Sequence, residues 1–166
     1  MILGMSLSTF TLVHVVMSLV GILTGFIVIF GMFGAKRMNG MTALFLLTTV
    51  LTSVSGFGFP NAHITPGVII GIISLVVLLF AIVARYVGHL HDSSRWIYVV
   101  TAVSAEYFNV FVLVAQGFLK VPALHFMAPT GTETPFKIAQ GIVLVMFILL
   151  GVYAVKKFHP DDERAA

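Results

Sequence analysis

The sequence predicts an all-α membrane protein, a bundle of five transmembrane helices with its N-terminus outside and its C-terminus in the cytoplasm. Three observations carry that expectation: the composition, five apolar runs of membrane-spanning length, and the side on which the basic residues fall. Of 166 residues, 59% are hydrophobic and only 9% charged, and the mean hydropathy is +1.09. Soluble domains carry about 25% charged residues, and a chain this small could not hide so much apolar surface from water. Lipid is therefore the solvent and the first partner. The net charge of +3 comes from basic residues scattered between apolar runs, with no basic face, so nucleic acid is not an expected partner. The chain has no cysteine, which excludes disulfides, thiolate metal sites, iron–sulfur clusters and cysteine nucleophiles.

The elements follow in order. Met1–Thr9 lacks the positive charge of a cleavable leader, so the first apolar run, residues 10–35, is expected to persist as the first span. Lys36-Arg37-Met38-Asn39-Gly40 makes a tight hairpin into the second run, residues 41–59. Pro60 and Pro66 bracket the next loop, and Pro66 suits the first turn of the third run, residues 67–87. A third loop, His89–Ser94, leads to the fourth run, residues 96–119. The longest loop, Lys120–Pro135, precedes the fifth run, residues 136–155. Residues 1–158 are expected to form one transmembrane domain, with 159–166 as a short polar cytoplasmic tail. A helix needs about 20 residues to cross the hydrocarbon core, and each run approaches or exceeds that length.

The second run is the contested one. It is short and rich in Thr48, Thr49, Thr52, Ser53 and Ser55, so a re-entrant segment rivals a full crossing. Charge favours crossing. With five spans, Lys36, Arg37, Arg85, Arg95, Lys156, Lys157 and Arg164 share one side, and only Lys120 and Lys137 lie opposite. Without the second crossing that bias disappears. The chain has the general look of a small bacterial inner-membrane protein, and the cytoplasmic membrane is its expected location.

Polar residues within spans mark inner faces, because hydrocarbon penalises them. On the first span Thr11, His14, Ser18, Gly21 and Gly25 share a stripe. On the third, Gly67, Gly71, Ser74 and Arg85 do; on the fourth, Glu106, Asn109 and Gln116; on the fifth, Gln140 and Gly151. Thr48, Thr52 and Ser55 form the corresponding ladder of the second span.

Glu106 is the strongest functional signal, the one acidic residue inside a span and about 15 Å from the cytoplasmic end of its helix. A carboxylate at such depth costs about 2.5–3.5 kcal/mol unless paired or protonated. Burial is expected to favour its neutral form, which suits either a proton-carrying group or a group that hydrogen-bonds Asn109, Tyr107 or a neighbouring helix. His14 lies near the outer end of its span, at the depth of Gln116 and roughly 8–10 Å shallower than Glu106. It is a candidate proton relay or haem ligand, or simply a capped interfacial imidazole. His63 and His125 on the outer side, and His89 and His91 on the inner, are the weak metal candidates. Haem remains open as a cofactor, although no two imidazoles face one another at matched depth.

The steps Gly21–Gly25 and Gly67–Gly71 are GxxxG patterns that let helix backbones approach closely, within the chain or between chains. Three functional classes follow. The chain is a homo-oligomer or a membrane subunit of a larger complex, more consistent with a non-enzyme; or a proton or small-solute transporter or channel; or a haem- or quinone-binding redox protein. Size favours the first, because five helices enclose little volume and the 166 residues show none of the inverted repeats common in transporters.

Overall fold

The computed structural model describes residues 4–60 and 65–160. These form α1 (Leu7–Phe33), α2 (Asn39–Gly56), α3 (Pro66–Ile82) extended by a π-helical turn (Val83–Val87), α4 (Ser93–Lys120), a short α5 (Pro122–Met127) and α6 (Thr134–Lys157). The helices begin where local chemistry allows. Ser6 Oγ accepts from Thr9 N (3.1 Å) at the start of α1. Thr65 Oγ1 accepts from Val68 N (3.3 Å) at the start of α3, with Pro66 in its first turn.

Among the described residues, four helices are long and apolar enough to cross a membrane: α1, α3 with its π-turn, α4 and α6. The second run forms α2, whose 18 residues reach about 27 Å, and which does not join that set. The reason lies in its side chains, for Asn39 opens it and Thr42, Thr48, Thr49, Thr52, Ser53 and Ser55 interrupt its apolar residues. Some of these hydroxyls turn back on the helix itself. Thr48 Oγ1 donates to Leu44 O (2.7 Å) and Ser55 Oγ to Thr52 O (3.1 Å). The connection between α4 and α6, the longest loop of the sequence reading, contains α5, which folds back so that Leu124 comes close to Gly117.

The helix pairs α1–α2, α2–α3, α3–α4 and α4–α1 close a four-helix ring, and α6 packs on α4 and α1 from outside. Aromatic side chains fasten α6: Phe147 meets Phe26 of α1 and Tyr107 of α4, each with centroids 5.9 Å apart, and Tyr153 meets Phe33 at 4.7 Å. Gln140 Nε2 donates to Phe111 O (3.0 Å). The outward faces carry Leu12, Leu23, Phe30, Leu79, Ile142 and Leu149, all mostly exposed. A surface this apolar around the whole bundle is suited to lipid, and the chain is an integral membrane protein in character.

Packing is uneven along the bundle axis. The contiguous core runs through Ile22–Met32 of α1, Phe45 and Leu46 of α2, Leu78–Ala84 of α3 and its π-turn, Tyr98–Val110 of α4, and Phe147–Phe158 at the end of α6. Apart from Val110 of α4, it lies toward the end that holds the α1–α2 and α3–α4 turns, here the closed half. Between Leu7 and Val20, α1 buries only Phe10, so the other half is open.

Two arginines brace the closed end. Arg85, buried in the π-turn, donates through Nη2 to Arg37 O (2.6 Å) and Asn39 Oδ1 (2.8 Å), with its guanidinium 5.0 Å from the Tyr98 ring centroid. Arg95 Nη1 donates to Val155 O (3.0 Å) and Phe158 O (2.8 Å), satisfying carbonyls at the end of α6. These bonds gather the two turns and the end of α6 at one face of the bundle.

Candidate functional site

Glu106 sits on the ring-facing side of α4 and is fully buried. Its space exists because α1 offers no side chain there: a Cβ on Gly25 would collide with Glu106 Oε2. One turn along α4, Asn109 Nδ2 donates to Glu106 Oε2 (3.2 Å) and to Thr49 Oγ1 of α2 (3.2 Å). Glu106 Oε1 has no hydrogen-bond partner among the described residues. The carboxyl is thus half satisfied, which is rare for a buried polar group and characteristic of functional positions.

Above this group, in the open half, lies a cavity of about 540 Å³ between α1, α2, α3 and α4. Asn109 forms part of its wall, while Glu106 stands behind Asn109 and does not line it. His14, Ser18, Thr52, Ser74, Gln116 and Lys120 are among its polar lining. His14 Nδ1 lies 2.8 Å from Ser55 Oγ, and its ring meets Phe59 edge-on at 5.1 Å. Ser55 directs its hydroxyl at Thr52 O. The bond between His14 and Ser55 runs in either direction, according to which imidazole nitrogen carries the proton. Thr52 Oγ1 is buried in this lining and has no partner among the described residues.

The structure therefore brings Asn109, His14 and Gln116 to one cavity and sets Glu106 at its inner edge, with Asn109 as the link. His14 bonds Ser55 rather than Glu106. The glycine steps divide. Gly21 packs against Thr48 Oγ1 and Thr49 Oγ1, each 3.2 Å from its would-be Cβ, and Gly25 against Glu106 and Phe45, so this step serves the chain's own ring. Gly71 faces Phe57, whereas Gly67 is exposed in the cavity lining, with Thr65 Oγ1 its neighbour among the described residues. His125 is exposed on α5, and His89 and His91 are exposed in the turn after the π-helix, at the opposite end. His63 lies outside the described residues. Among the described residues no three metal-binding side chains come together.

Thr49 and Lys120 belong to this site and escape the sequence pattern. Thr49 is off the Thr48–Thr52–Ser55 ladder, and its role shows only once Asn109 is placed opposite it. Lys120 reads as a loop charge until α4 is seen to run straight into it. No family model, no curated protein and no solved structure matches the chain.

Proposed function

We propose that the chain is a five-span protein of a bacterial cytoplasmic membrane that binds a small ligand in the open-half cavity and carries a proton on Glu106, as a proton-conducting transporter or channel would. The observation that carries this reading is Glu106 itself: fully buried, one oxygen without a partner among the described residues, the other held by an asparagine that lines the cavity. An enclosed carboxyl oxygen without a partner costs stability, a cost that helix packing alone does not explain. The crossing of α2 is supported by its course beside α1. The His14–Ser55 bond ties the start of α1 to the end of α2, and Arg85 ties the opposite end to Arg37 and Asn39. The basic residues at the closed end support a cytoplasmic C-terminus and an outer N-terminus.

The test is proton flux into liposomes carrying purified protein and a trapped pH dye, with a potassium-diffusion potential as driving force. Wild type is expected to acidify the lumen, and Glu106→Gln, which keeps shape and hydrogen bonding, to abolish this without loss of helicity. Wild-type flux no greater than that of empty vesicles, or full flux from Glu106→Gln, overturns the proton role.

Assembly into a homo-oligomer, or docking as a subunit of a larger complex, is the second reading, and exposed Gly67 favours it. Gly67→Leu would then shrink the particle measured in native nanodiscs. An unchanged size counts against that interface.

A further inference from the structure

Leu19, Phe26 and Phe33 recur every seven residues and so lie on one stripe of α1. In the closed half that stripe is covered, Phe26 by Phe147 and Phe33 by Tyr153. In the open half it is not: Leu19, with Val15 beside it, lines the cavity and is about two-fifths exposed (42% and 38%). Across the gap Leu113 of α4 does the same at 44%. Helices α1 and α4 meet tightly at Gly25 and Glu106, and toward the open half no hydrogen bond or ring contact joins the two among the described residues. We infer that the cavity opens sideways between α1 and α4 into the lipid, and that its ligand is a membrane-dissolved amphiphile with an uncharged, hydrogen-bonding head group. This rests on reading the cavity as a ligand site.

The lining selects the head group. Thr52, Ser53, Ser74 and Asn109 are neutral donors and acceptors, the His14 imidazole adds a further polar group, and Thr52 Oγ1 lacks a partner among the described residues. Lys120, at the last residue of α4, is the one charged residue of the lining among the described residues. An ionised head drawn in to Asn109 would leave water without a counter-charge beside it, whereas a head with hydroxyl and carbonyl groups would find partners. A volume of about 540 Å³ is in the range of small-molecule sites and holds a head group with the first part of its chain. The remaining chain passes through the gap lined by Val15, Leu19 and Leu113 into the surrounding lipid.

The experiment uses full-length protein in nanodiscs and a monoacylglycerol carrying a diazirine in its chain, with crosslinks located by peptide mass spectrometry. Saturable labelling of α1 and α4 is expected, competed by unlabelled monoacylglycerol and at least tenfold less well by the fatty-acid anion of equal length. Leu19→Trp and Leu113→Trp, which plug the gap, should cut labelling at least fivefold. Leu113→Ala, which widens it, should raise labelling, an opposite sign that misfolding would not produce. Leu12→Trp, on the lipid face, should change nothing. Equal competition by the anion overturns the neutral head group. Competition by glycerol alone overturns entry from lipid, and labelling indifferent to all Leu19 and Leu113 variants overturns the portal. Labelling is read without proton flux, so its failure leaves a positive flux result standing, and a failed flux assay leaves the labelling result interpretable.

Discussion

One methyl group, added in turn at Gly25, Gly21 and Gly141, separates packing from backbone preference. All three are helix-interior glycines with ordinary negative φ, so alanine should favour the helix by about 0.5–1 kcal/mol at each. The surroundings differ. At Gly25 the new Cβ lands on the Glu106 carboxyl and 2.9 Å from Phe45 Cε2. Glu106 is fully enclosed, so the carboxyl can move only by giving up its Asn109 bond. Overpacking of this kind costs about 1–3 kcal/mol, and after the backbone gain Gly25→Ala should be destabilised by about 1–2 kcal/mol. At Gly21 the neighbours are two threonine hydroxyls at 3.2 Å, which yield by a few tenths of an ångström, so the two effects should nearly cancel. At Gly141 nothing lies within 4 Å, and alanine should be neutral or stabilising. The assay is SDS-driven unfolding of micellar protein followed by circular dichroism. Repeating Gly25→Ala in a Glu106→Ala background should remove much of its cost, because the colliding carboxyl is gone. A Gly25→Ala protein as stable as Gly141→Ala, or a strictly additive double-mutant cycle, would refute the claim that Gly25 exists to house Glu106.

Arg85→Leu should destabilise the bundle by about 2 kcal/mol in the same assay by stripping charged hydrogen bonds from Arg37 O and Asn39 Oδ1. Lysine should recover only part of this, since its ammonium can donate to both acceptors but has no planar face to lay on Tyr98; full rescue by lysine would show that only charge matters there. At the start of α6, desolvation pushes the Glu133 carboxyl up but is outweighed by hydrogen bonds from Thr130 Oγ1 and the Thr130 and Thr132 amides, which hold it at about 2. Because the folded carboxyl titrates below its free value, its contribution is complete above about pH 4.5 and disappears as pH falls through about 2. Exchange protection of the Thr130 and Thr132 amides should fade over that window and be pH-independent in Glu133→Gln; protection that survives below pH 2 contradicts the assignment. Reporter fusions within residues 120–135 should read as external, and a cytoplasmic signal there would remove the five-span arrangement.

The sequence makes the helices legible because hydrocarbon leaves few alternatives: apolar runs between prolines, glycines and charges become helices almost wherever they occur. It marks Glu106 and Asn109 for the same reason, since a polar group in a span is conspicuous. It is poor at pairing. Thr49 looks like any other threonine of α2, and its bond to Asn109 depends on which helix stands opposite, a long-range fact with no local trace. Arg85 and Arg95 read as topology charges because the sequence shows their sign and not the carbonyls they bind. Gly25 carries a small-residue signal without saying whether the approaching group is a backbone or a carboxyl. The second run also shows the limit of hydropathy, for threonines that bond their own helix count as polar in the sequence though they expose little polarity in the fold.

The separation of a packed half from an open one has a consequence for how this protein can change over generations. Residues that set the fold, such as Phe45, Leu78, Tyr98 and Phe147, lie apart from those that shape the cavity, such as Val15, Ser53, Val68 and Gln116. A substitution that remodels the chamber therefore disturbs few of the contacts on which folding depends. Descendants of this sequence can explore different chamber shapes with little loss of stability, a freedom denied to proteins whose site is built from their core.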